Sequence, residues 1–112
     1  MVASRDDALL HQVADMLQAT VLVLTDRSSE LIEQTLKTRF DLVVLDVELI
    51  GLNGVEALSI LRRIHPKVPV VMVSEKVSPQ VESQIAREGA FYHFHKPLYA
   101  EDFFKVIQAV EK

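Results

Sequence analysis

Short, nearly continuous apolar runs recur along this chain, each separated from the next by a stretch with helical spacing. They are Met1-Val2-Ala3, Val21-Leu22-Val23-Leu24, Leu42-Val43-Val44-Leu45 and Val68-Pro69-Val70-Val71-Met72-Val73, with a weaker fifth at Phe91-Tyr92-His93-Phe94. A strand with one solvated face alternates apolar and polar residues. A strand covered on both faces does not, and that is how a parallel strand reads.

The intervening segments carry one apolar face each. Leu9, Leu10, Val13, Met16 and Leu17 recur at three- and four-residue steps, which builds a stripe along a helix. Leu31, Ile32, Thr35 and Leu36 do the same after Ser28-Ser29, which suits an N-cap. Val55, Leu58, Leu61 and Ile64 form a third helix, closed at His65-Pro66 because the residue before proline avoids the helical region. A fourth has Ser78 as cap, Pro79 at its first position, Val81, Ile85 and Ala86 on its face, and Gly89 past its end. A fifth opens at Ala100-Glu101 and carries Phe103, Phe104, Ile107 and Val110.

Five strand–helix units in alternation predict an α/β fold, a doubly wound five-stranded parallel sheet with helices on both faces. The chain has 112 residues, enough for one domain, 1–112. It has no cysteine, so thiolate nucleophiles and zinc–thiolate sites are excluded. A net charge of -4 argues against direct nucleic-acid binding. No apolar run approaches the roughly 18 residues of a membrane helix, and no signal pattern opens the chain. A cytoplasmic domain without membrane contact is the expectation.

In such sheets the working site lies beyond the carboxyl ends of the strands. Three of those ends carry a coherent set: Asp46 after the third run, Ser74 after the fourth and Lys96, followed by Pro97, after the fifth. A carboxylate can act as a covalent nucleophile toward a phosphoryl group. A nearby ammonium and hydroxyl can bind the transferred oxygens and neutralise their charge.

These residues resemble a known family. The stretch Asp41 to Glu56, with Asp46 and Gly54 inside it, resembles without gaps the phosphorylation motif of response regulator receiver domains (the CheY-like fold). Val70-Val-Met-Val-Ser74 resembles their fourth strand, and Gly89-Ala90 through Lys96-Pro97-Leu98 resembles their fifth-strand segment. The resemblance implies a flavodoxin-like sheet of order 2-1-3-4-5. It implies that Asp46 is phosphorylated by a histidine kinase in a two-component phosphorelay, with Mg²⁺ beside it. Ser74 would hydrogen-bond the phosphoryl group and Lys96 would pair with it. His93 occupies the family's switch position. A binding face around the fourth helix, fifth strand and fifth helix, Val77 to Val110, would respond and would serve a homodimer, an output domain or a partner protein. A stand-alone enzyme is not expected.

Several positions depart from the pattern. The family carries two adjacent acids at the end of the first strand, and they hold Mg²⁺. Ungapped alignment places Ser4 and Arg5 there. A slip of two residues would supply Asp6-Asp7 instead, but it would bury Ser4 and Arg5 in a central strand, where an unpaired guanidinium is costly. Asp46 then has only Asp6 or Glu48 (its carboxylate or backbone carbonyl) as metal-binding companions. This weakens the expectation of a Mg²⁺ site. Arg5 could instead pair with Asp46 and replace the metal. Glu75 stands where the family has a small residue and would repel a phosphodonor. A histidine at position 93 brings charge near neutral pH, so switching there would be pH-sensitive. The competing expectation is a degenerate pseudo-receiver, a phosphorylation-independent interaction module favoured by Ser4, Arg5 and Glu75.

Overall fold

The computed structural model describes residues 1–16 and 24–110. Leu17 of the first helical stripe and Val21-Leu22-Val23 of the second apolar run lie outside the described residues. The elements alternate as expected: β1 (Val2–Ala3), α1 (Asp7–Met16), β2 (Leu24–Thr25), α2 (Ser28–Lys37), β3 (Val43–Asp46), α3 (Gly54–Ile64), β4 (Val70–Ser74), α4 (Pro79–Arg87), β5 (Tyr92–His95) and α5 (Ala100–Val110). Every described pairing is parallel, and the described strands run in the order β2-β1-β3-β4-β5.

The sheet is covered on both faces because its strands are apolar at successive positions. Val43, Leu45, Val70 and Met72 join Leu31, Leu58, Leu61 and Ile85 from α2, α3 and α4 in one core. Val44, Val71 and Val73 point the other way, joining Leu9 and Val13 of α1 and Phe103 and Ile107 of α5. Each fully buried valine or leucine contributes about 1.5–3 kcal/mol relative to its exposed form. One face alone would waste half of the β3 and β4 side chains.

Helix ends match the sequence in part. Ser78 Oγ accepts the Val81 N–H, Pro79 opens α4, and Gly89 takes φ +83 past its end. Ser28 does not cap α2. Arg27 holds that position, while the buried Ser28 hydroxyl accepts the Leu52 N–H at 2.9 Å and so ties α2 to the loop after β3. Asn53 caps α3 by accepting the Glu56 N–H, and Glu56 answers by accepting from the Asn53 amide. His65 ends α3, and its Nε2 lies 2.5 Å from the Thr35 carbonyl of α2.

Candidate functional site

Asp46 ends β3 and is 1% exposed. A buried carboxylate must be hydrogen-bonded or paired. Its Oδ1 accepts the Glu48 N–H at 3.0 Å. Its Oδ2 accepts the Ser4 hydroxyl at 2.6 Å and lies 2.8 Å from Lys96 Nζ. Lys96 Nζ also donates to Asp6 Oδ2 at 3.0 Å, so one ammonium bridges two carboxylates. Asp6 Oδ1 accepts the Leu9 N–H and thereby caps α1, where a negative charge is favoured.

The register of the sheet makes this cluster. Ala3 pairs with Leu45, which brings Ser4 beside Asp46. The ungapped reading of the first strand therefore describes the fold. The Lys96 N–H donates to the Ser74 carbonyl at 2.8 Å, which delivers the lysine from the end of β5 toward β3. Gly54 sets the floor. Its N–H donates to the Val47 carbonyl at 2.7 Å, and a Cβ there would stand 2.1 Å from the Asp46 carbonyl oxygen. Only glycine lets α3 begin this close to the strand end.

Electrostatics follow the contacts. Burial disfavours the charge on Lys96, but hydrogen bonds to Asp46 and Asp6 outweigh it and hold its pKa above the ordinary lysine value. The hydrogen bond from Lys96, helped by the Leu9 N–H, holds Asp6 below the usual carboxylate range. The ammonium is therefore a fixed positive charge at neutral pH.

Ser74 ends β4 and is also buried. Its Oγ lies 2.7 Å from His93 Nε2 on the neighbouring strand. The His93 ring sits 4.7 Å, centroid to centroid, from that of His95, whose Nε2 is 3.0 Å from Glu82 Oε1 on α4. Burial first, then His95, lowers the His93 pKa, while Glu82 opposes the shift. Glu75 is exposed and lines a cavity of about 350 Å³ together with Asp6, Gln12 and Lys96. A larger cavity of about 510 Å³ lies at the opposite end of the sheet, among Thr35, Phe40, His65 and Pro69, away from this cluster.

Arg5 does not pair with Asp46. Its side chain is exposed, and its backbone N–H donates to the Glu48 carbonyl at 3.2 Å. The residue after the strand end turns outward, and Lys96 takes the place expected for Arg5. Sequence reasoning treated Ser4 only as a missing acid. In the fold it is a direct donor to Asp46, a role readable only once the β1–β3 register is known.

The family resemblance implies Mg²⁺ beside Asp46. The donor set here does not fit that ion. A hard dication needs free oxygen ligands. Both carboxylates, Asp46 and Asp6, are engaged by N–H and O–H donors and share an ammonium. The Glu48 carboxylate is exposed and its carbonyl is engaged by Arg5. Among the described residues, no group of three or more His, Cys, Asp or Glu is placed to hold a metal. Among the described residues, no helix is long and apolar enough to cross a membrane.

The model of the family described as "Response regulator receiver domain" matches residues 3–108. Transcriptional regulatory protein ZraR of Escherichia coli K12 is 26% identical over 113 residues, which cover 96% of this chain and 24% of that protein. A protein-glutamate methylesterase/protein-glutamine glutaminase of Geobacillus kaustophilus is 46% identical over 70 residues, covering 61% of this chain and 20% of that protein. The chain thus spans a quarter or less of these relatives. A CheY-like response regulator receiver domain protein of Methanospirillum hungatei superposes with a TM-score of 0.91 at 19% identity, covering 98% of this chain and 90% of that one, which shows the fold.

Proposed function

Because the chain belongs to the response regulator receiver domain family, we propose that Asp46 accepts a phosphoryl group from a phosphohistidine of a sensor kinase or phosphotransfer protein. Receiver domains are in general non-enzymatic signalling modules, and they interact with such kinases and with output domains. In the transfer, an Asp46 carboxylate oxygen attacks phosphorus. The histidine N–P bond breaks and an acyl phosphate O–P bond forms, with the imidazole leaving group taking up a proton. Hydrolysis by water later returns the carboxylate and inorganic phosphate.

The observation that carries the reading is the Asp46–Lys96 pair. A buried carboxylate at a strand end, 2.8 Å from an ammonium, has a counter-charge already in place for the charge brought by phosphorus. Lys96 would move from Asp46 Oδ2 to a phosphoryl oxygen while Asp6 keeps it in position. The Ser74 hydroxyl, at the end of the next strand, would donate to another oxygen. No step passes through a metal ion.

The responding face is α4, β5 and α5. Tyr92, Tyr99 and Phe104 expose large apolar surface there, 49%, 64% and 43% respectively, and aromatic side chains are favoured in docking surfaces. A homodimer, an output domain or a partner protein would use this face. His93 connects it to the pocket through Ser74.

The test is intact-protein mass after incubation with phosphoramidate, with and without Mg²⁺, beside Asp46→Asn. The expected result is a single phosphoryl adduct that is absent in the variant and does not require the metal. No adduct under either condition would overturn the reading in favour of the phosphorylation-independent module.

A further inference from the structure

Ser74 has one hydroxyl proton, and on the phosphoryl reading that proton has two places to point. In the unmodified protein the hydroxyl lies 2.7 Å from His93 Nε2. In the phosphorylated protein the same hydroxyl is needed by a phosphoryl oxygen. A serine cannot donate in both directions. If its proton turns toward phosphorus, an unprotonated Nε2 is left facing an oxygen lone pair, two acceptors at contact distance. The conflict disappears when Nε2 carries a proton and donates to Ser74 Oγ.

We propose that His93 is a positioning residue whose Nε2 accepts the Ser74 hydroxyl in the unmodified protein and, once Asp46 is phosphorylated, is protonated and donates to it. The inference rests on the phosphoryl reading of Asp46 and deepens it. The Nε2–H bond forms with a proton taken up from solvent, which leaves the ring with both nitrogens protonated and a positive charge. Ser74 keeps its O–H bond throughout.

The surroundings set how that proton is held. On β5, the His95 ring at 4.7 Å disfavours a positive charge on His93. From α4, Glu82 is paired with His95 and favours a positive charge on His93. Ser74 is the hydrogen-bonding partner from β4. The neutral ring is therefore the resting form at pH 7, and the phosphorylated pocket is what draws in the proton. By linkage, an equilibrium that protonates His93 on phosphorylation is itself favoured as pH falls.

The experiment is ¹⁵N-histidine NMR on the whole chain before and after phosphoramidate treatment, with the adduct followed by mass. Unmodified protein at pH 8 should show His93 with Nδ1 protonated and Nε2 a hydrogen-bonded acceptor. Ser74→Ala should abolish that acceptor signature, and Ser74→Thr should restore it. Phosphorylation should protonate Nε2 and move the His93 titration midpoint up by about one pH unit, as expected for a hydrogen bond made by the charged ring. An adduct with Nε2 still unprotonated and the midpoint unmoved would overturn the proposal while sparing the phosphoryl reading. So would a His93 signature identical in wild type and Ser74→Ala. Failure to form any adduct would overturn both readings together.

Discussion

The two flanks of Asp46 are built differently. On the β4–β5 flank, Lys96 puts an ammonium 2.8 Å from the buried carboxylate, and Ser74 ends the neighbouring strand with a hydroxyl. On the β1 flank, Ser4 donates a hydroxyl where receiver domains carry an acid, and Arg5 faces solvent. On the proposed reading the first flank supplies the groups that would meet phosphorus, and the second puts a neutral donor against the carboxylate. Among the described residues, charge balance around Asp46 therefore falls to one ammonium that two carboxylates hold. Removing adjacent acids lessens the need for a dication, since fewer negative charges crowd the buried site.

The contrast breaks most severely at Lys96. Lys96→Met leaves Asp46 buried without its counter-charge and should cost about 3 kcal/mol in urea unfolding, the scale for breaking a buried pair. The same variant should flatten the acid limb of stability. Asp6 titrates below its ordinary value when folded, so its contribution is present above about pH 4, the unfolded carboxylate value, and is lost as pH falls through the folded one. Without Lys96 most of that dependence should vanish.

Ser4→Asp sharpens the comparison by restoring an acid to the second flank. In metal-free buffer it should lose about 2 kcal/mol, because a second carboxylate enters the buried site. Magnesium should recover this, with about 2.7 kcal/mol available at a hundredfold excess over Kd. Wild type should show no comparable Mg²⁺-dependent rise in Tm. A rise as large as the variant's would show that the donor set accepts the ion after all.

Ser4→Ala removes one charge-assisted donor and should cost about 1–2 kcal/mol by the same unfolding measurement. Arg5→Ala should change stability by less than about 0.5 kcal/mol, as for an exposed side chain with no partner among the described residues. If Arg5→Ala costs as much as Ser4→Ala, the guanidinium acts on Asp46 and the distinction between the two residues fails.

The sequence made the Lys96 flank legible because Ser74 directly follows an apolar run and Lys96 stands two residues beyond another. Leu42-Val43-Val44-Leu45 places Asp46 at a strand end without further information. The α4 boundaries were equally legible, since Ser78, Pro79 and Gly89 each act through local backbone geometry. What stayed hidden depends on distant partners. Ser28 looks like a cap until the loop at Leu52 arrives to use its hydroxyl. Arg5 looks like a counter-ion until the Glu48 carbonyl takes its N–H and the side chain turns to solvent. Both were settled by contacts between segments distant in sequence, which one-dimensional spacing does not encode. The reciprocal cap of Asn53 and Glu56 was local and readable, an Asn-x-x-Glu pattern before an apolar stripe.

Gly54 carries no functional group, yet its missing side chain is what allows the Asp46 backbone and the start of α3 to share one place. In a saturation scan scored by phosphorylation, this position should be as intolerant as Asp46 itself. A scan scored by folding would separate them. Asp46→Asn should keep its rank among tolerated changes, while every replacement at Gly54 drops out. Substitution intolerance beside a reactive residue can thus record a space that must stay empty.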